Sequence, residues 1–129
     1  MSGFNKIEDI DCWVLSRDLF QDNIELFNFL KESNEYALRN QMIRSCGSIM
    51  DNIAEGFGRG GNREFIQFLS IAKGSSYEFK SQLYRCFDMQ LMPMEKLNQN
   101  FENIEVLNSK IGKLISYLRN SDFKGSKFK

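Results

Sequence analysis

The chain has no histidine, a single proline (Pro93) and three cysteines in 129 residues. Without an imidazole there can be no Ser-His-Asp triad, no Cys-His nucleophile pair and no HExxH zinc helix, and the commonest proton shuttle near neutral pH is absent. Most hydrolase chemistry is excluded with them. One proline is too little turn punctuation for an all-β sandwich, which leaves helix as the expected element. Cys12, Cys46 and Cys86 are odd in number and far apart in sequence. They fit neither a disulfide framework nor a CxxC metal site and are expected to be buried thiols.

Long apolar runs are missing as well. No stretch approaches the roughly 20 uninterrupted apolar residues of a membrane span, and Met1-Ser2-Gly3-Phe4-Asn5-Lys6 lacks the apolar core of a signal peptide. A cytoplasmic protein is the expectation, with no membrane, cofactor, metal or small-molecule substrate. Neither sign of charge dominates, since 17 basic residues face 17 acidic ones. Their distribution is uneven: residues 1–56 carry a net −5 and residues 57–129 a net +5. Such a dipole suits head-to-tail attraction between copies, or a basic face for a polyanion.

What is present is the composition of an ordinary globular domain, 42% hydrophobic and 26% charged, in a length that holds one core. The hydrophobic spacing predicts an all-α, antiparallel up-down four-helix bundle over residues 1–119, followed by a flexible basic tail, 120–129. Helix 1 is expected over about 11–30 with Trp13, Phe20, Ile24 and Phe27 toward the core. At about 100° per residue, Leu15, Leu19, Leu26 and Phe29 fall on nearly the opposite side. That surplus apolar face asks for a second copy of the chain.

Helix 2 is expected over about 35–55, with Met42, Cys46, Ile49 and Ile53 inside and Gln41, Arg44, Ser48, Asp51 and Glu55 on the far side. Gly56 through Gly61 reads as a turn, since each glycine costs about 1 kcal/mol in a helix. These glycines match GxGxxG literally, but a helix precedes them where the dinucleotide fingerprint requires a strand. Asn62 is a candidate N-cap for helix 3, to about Gln90, along Phe65, Leu69, Ala72, Phe79, Leu83 and Cys86. Pro93 suits the first turn of helix 4, to about Arg119.

Gly47 and Gly74 are among the glycines that fall inside these helices. Gly47 reads as a close helix contact within the monomer, whereas Gly74, on the outer face of helix 3 among Gln67, Glu78, Ser81 and Arg85, invites another helix or a ligand backbone. Together with the apolar face of helix 1 it marks an oligomer interface: Leu15, Leu19, Leu26, Phe29 and Gly74. For RNA or DNA, the phosphate contacts would be Arg44, Arg59, Arg63, Lys73 and Arg85, interrupted by Glu64, Glu78 and Asp88. The alternative is a protein-interaction scaffold with no nucleic-acid binding.

The run Gln41, Arg44, Ser48, Ile49, then Asn52-Ile53-Ala54-Glu55-Gly56-Phe57-Gly58-Arg59, then Phe68-Leu69-Ser70-Ile71-Ala72-Lys73-Gly74-Ser75 and Glu78 resembles the four-helix-bundle proteins encoded in intervening sequences of bacterial 23S rRNA genes. Trp13 and Leu83 also match, so the likeness covers roughly residues 8 to 118. The resemblance implies an antiparallel bundle assembling as a ring-like homo-oligomer, a pentamer, in bacterial cytoplasm. Related bundles that accompany reverse transcriptases in diversity-generating retroelements are strongly basic and bind nucleic acid; this chain is neutral. The Phe-Pro turn of many members is replaced here by Glu32-Ser33-Asn34-Glu35.

Overall fold

Among the described residues five helices follow one another: α1 (Asp11–Asp22), α2 (Ile24–Glu32), α3 (Tyr36–Gly58), α4 (Asn62–Asp88) and α5 (Met94–Lys124), with a 3-10 turn, Ile7–Asp9, ahead of them. The computed structural model describes residues 3–124. α1 and α2 form one kinked rod, so the architecture is the expected four-helix bundle. α3 packs on α4, α4 on α5, and α1 on both α3 and α5. Each rod therefore lies beside its neighbours in sequence, and the short links make successive rods antiparallel.

The kink at Asn23 decides which face of the first rod is inside. Asn23 leaves helical geometry (φ −107°, ψ 3°), and its buried amide donates to Leu19 O at 2.8 Å and to Asn100 Oδ1 on α5 at 2.8 Å. The inward stripe is Cys12, Ser16, Leu19, Asn23, Leu26, Phe27 and Leu30. Leu19 and Leu26, expected on an outer face, are 1% and 7% exposed and belong to the bundle's own core. Ile24, expected inside, is exposed. The difference is physical: Ser16 and Asn23 are polar positions at helical spacing within the buried stripe, and hydrogen bonds to Trp13 O, Leu19 O and Asn100 let them sit there.

α3 runs through Gly56 and Gly58, past the expected turn, and the reversal is confined to Arg59, Gly60 (φ +87°) and Gly61. Gly56 stays helical because α4 crosses there. A Cβ on Gly56 would lie 2.7 Å from Phe68 Cβ and 3.0 Å from the Phe65 ring. The close crossing is thus at Gly56; a Cβ on Gly47 would meet only Phe20, at an ordinary 3.6 Å. Gly61, not Asn62, is the N-cap of α4, and the Asn62 side chain instead crosses to α5, donating to Leu118 O at 2.9 Å.

α2 and α4 end alike. Asn34 and Gln90 take positive φ (61° and 63°), and the next amides, Glu35 and Leu91, donate back to Leu30 O and Cys86 O at 2.8 and 3.0 Å. This is the Schellman termination, which returns the chain after satisfying the last carbonyls. Pro93 stands just ahead of α5 and not in its first turn, and its carbonyl accepts from the Lys96 and Leu97 amides. α5 continues to Lys124, so residues 120–124 of the expected tail are helical; residues 125–129 lie outside the described ones.

Candidate interaction surface

Among the described residues the buried polar side chains are Ser16, Asn23, Ser45, Asn62, Ser75, Ser76, Gln82 and Asn100, all neutral. Three of them build a polar seam between α3 and α4. Ser45 Oγ donates to Gln82 Oε1 at 2.5 Å, Ser48 and Ser75 share a hydroxyl contact at 2.9 Å, and Asn52 donates to Ser48 O and Oγ, both at 2.8 Å. At the rim, Arg85 donates to Gln41 Oε1 at 3.0 Å. Gln41 and Ser48 therefore turn toward α4, whereas Arg44, Asp51 and Glu55 face solvent. The seam fixes how α3 meets α4 and so shapes the outer surface of both.

On that surface Ile71 and Gly74 are exposed one helical turn apart, with open space around the position a Cβ on Gly74 would take. Around α3, on the side toward α1, lies an open groove of about 530 Å³ walled by Phe20, Ile43, Gly47 and Met50, with Arg44, Ser48 and Asp51 along it. Of the five residues expected at an oligomer interface, Gly74 and Phe29 (45% exposed) are on the surface, Leu15 is half-buried, and Leu19 and Leu26 are inside.

The five expected phosphate contacts do not form one patch. Arg44 and Arg59 are fifteen residues apart on one rod, about 22 Å at the helical rise. Arg59 is held by Glu55 (2.9 Å) and lies over the Phe68 ring, 5.0 Å from its centroid. Arg85 is tied to Gln41. Lys73 and Arg63 are exposed elsewhere on α4. The Asn62–Leu118 bond does bring Arg63 to the end of the bundle occupied by the exposed Arg119 of α5. The sequence alone does not show Arg119 at this end, because the placement rests on a side-chain bond between positions 62 and 118, far apart along the chain.

The three thiols are buried, and burial pushes each above its usual 9.0: Cys12 and Cys46 to about 12, Cys86 to about 11 with a further push from the Glu35 carboxylate. None is poised as a nucleophile. Among the described residues no group of three or more His, Cys, Asp or Glu could hold a metal ion, and no helix is long and apolar enough to cross a membrane.

The family model described as 23S rRNA-intervening sequence protein matches residues 8–113. The chain belongs to that family. A solved structure, described as a protein with unknown function from the S23 ribosomal protein family of Bacteroides thetaiotaomicron VPI-5482, superposes with a TM-score of 0.75 at 23% identity. The match covers 81% of this chain and 97% of that one. At that identity the likeness concerns the fold. Comparison with curated proteins finds no match. Within the run that resembles the family, Ser48, Asn52, Gly56, Phe68 and Ser75 belong to the α3–α4 seam and its glycine crossing.

Proposed function

We propose that this intervening-sequence protein is a non-catalytic binding module that works as a ring-like homo-oligomer, with copies meeting across the outer faces of α3 and α4. Gly74 carries the reading. Inside an exposed helix a glycine costs about 1 kcal/mol against alanine, and nothing in the single chain comes near enough to require it. A helix of a second copy laid on Ile71 and Gly74 would require it. The apolar groove between α1 and α3 supplies a complementary surface of different shape. A contact between two unlike surfaces is heterologous, and such contacts close into rings when the rotation allows. Mixed charges at Arg44, Asp51, Glu55, Glu78 and Arg85 suit the rim of such an interface.

Light scattering of the purified chain tests this. The expected mass is a small multiple of 15.1 kDa, and Gly74→Arg is expected to return the single-chain mass with helicity unchanged. A wild-type chain that stays at the single-chain mass at working concentration overturns the reading.

A second reading, RNA or DNA binding, is favoured by one observation, the placing of Arg63 and Arg119 at one end of the bundle. A ring would repeat that pair once per copy and raise a weak phosphate contact by avidity. Gel-shift titration with structured rRNA at two salt concentrations separates the readings: the double variant Arg63→Glu/Arg119→Glu should abolish a salt-sensitive shift while the assembly persists.

A further inference from the structure

The opposite end of the bundle is apolar where a lone domain would be polar. Phe29 of α2, Phe87 of α4 and Leu91, Met92 and Pro93 of the α4–α5 link wall a cavity of about 650 Å³ together with Asp88 and Gln90. Phe29 is 45% exposed, and Met89 and Met94, on either side of the link, are 52% and 57% exposed. Exposed apolar side chains gathered beside an apolar-walled cavity are the character of a docking site. Carboxylates frame it: Asp88 in the wall, Glu25 and Glu32 one turn to either side of Phe29, and Glu95 at the start of α5. Among the described residues Asp88 is the one charged residue in the cavity's lining; Lys96, Arg39 and Arg85 keep their charge but are held at Asp22 O, Phe27 O and Gln41 Oε1.

The sequence that follows α5 has the reverse character. After Lys124 it reads Gly125-Ser126-Lys127-Phe128-Lys129, one aromatic between two cations. It cannot serve its own chain's cavity. That cavity lies at the start of α5, and a helix of 31 residues is about 46 Å long. Phe128 is four residues beyond Lys124, a reach of about 14 Å even fully extended. Only another copy can bring the two together.

We infer that the Lys127-Phe128-Lys129 segment of one copy docks into the Phe29–Phe87–Leu91 cavity of another, the phenylalanine filling the apolar pocket and the lysines meeting Asp88 and its neighbouring carboxylates. The contact links the end of one bundle to the beginning of the next, along the bundle axis. It is separate from the sideways contact at Gly74, and either can exist without the other.

A dye-labelled peptide of residues 120–129 tests it, titrated by fluorescence anisotropy into full-length chain carrying Phe128→Ser, whose own segment no longer competes. Saturable binding is expected, weakened roughly tenfold at high salt because charge pairs at a protein rim are screened. Phe29→Lys and Asp88→Lys, both at exposed positions, should each abolish it, with circular dichroism confirming the fold. Absence of binding at low salt overturns the inference, and so does binding that survives both substitutions. Mass measurement of the Phe128→Ser chain keeps the two contacts apart: an unchanged sideways assembly with the peptide result positive supports both, and an unchanged assembly with no peptide binding removes only the axial contact.

Discussion

Asn23 and Asn100 exchange hydrogen bonds across the core, Nδ2 of each donating to Oδ1 of the other at 2.8 and 3.1 Å. Each amide spends its other donor on its own helix, at Leu19 O and Lys96 O. Neither side chain reaches solvent. Removing one partner leaves the other's amide buried and unsatisfied, which costs about 1–3 kcal/mol. Asn23→Leu and Asn100→Leu are each expected to destabilise by that amount in urea titrations. The double variant should recover part of the loss, since two apolar groups replace a matched polar pair. Additive losses would contradict the pairing.

Gly56 and Gly74 should respond to alanine in opposite directions. At Gly56 the new methyl meets Phe68 Cβ at 2.7 Å, and overpacking of this kind costs about 1–3 kcal/mol. At Gly74 there is open space, so Gly74→Ala should gain up to about 1 kcal/mol of single-chain stability from helix propensity. Thermal melts at low concentration check both signs.

Gln90 occupies the left-handed region at φ 63°, where a side chain with a Cβ is strained by about 1 kcal/mol. Gln90→Gly is expected to raise stability by up to that amount. Asn34, in the same position after α2, is a residue that tolerates this geometry, so Asn34→Gly should change little.

The buried thiols set an alkaline limit. Unfolded, each ionises near 9.0, while in the fold burial raises Cys12 and Cys46 to about 12 and Cys86 to about 11. Above pH 9 the unfolded chain holds fewer protons than the folded one, so stability falls as pH rises through that window and is unaffected below it. The slope is about 1.4 kcal/mol per pH unit for each thiol. Denaturation midpoints from pH 7 to 11 should show it, and Cys46→Ala should reduce the slope while lowering stability at every pH.

Much of the fold was legible because α3 and α4 keep large apolar residues at helical spacing, from Met42 to Ile53 and from Phe65 to Cys86, on either side of the buried Ser45, Ser75, Ser76 and Gln82. The face of α1 was misread for a local reason. Its buried stripe passes through Ser16 and Asn23, and their polarity rotates the apparent apolar side toward Trp13 and Ile24. Gly56 was taken for a turn because propensity counts its cost in isolation, whereas the gain comes from Phe68 on another helix. The candidate surface was less legible. Arg63 and Arg119 come to one end of the bundle where Asn62 meets Leu118, and the apolar end cavity joins α2 to the α4–α5 link, so neither leaves a pattern along the chain.

The Asn62–Leu118 bond has a consequence for how the molecule comes apart. α4 and α5 are joined covalently at one end by the link at Pro93, and this amide fastens them at the other, so the hairpin they form is closed like a buckled strap. The final turns of α5 up to Leu118 cannot fray as free helix ends do without releasing the first residue of α4 as well. Loosening at that end is therefore shared between two helices, and the arginines beside the buckle hold their spacing for as long as it stays fastened.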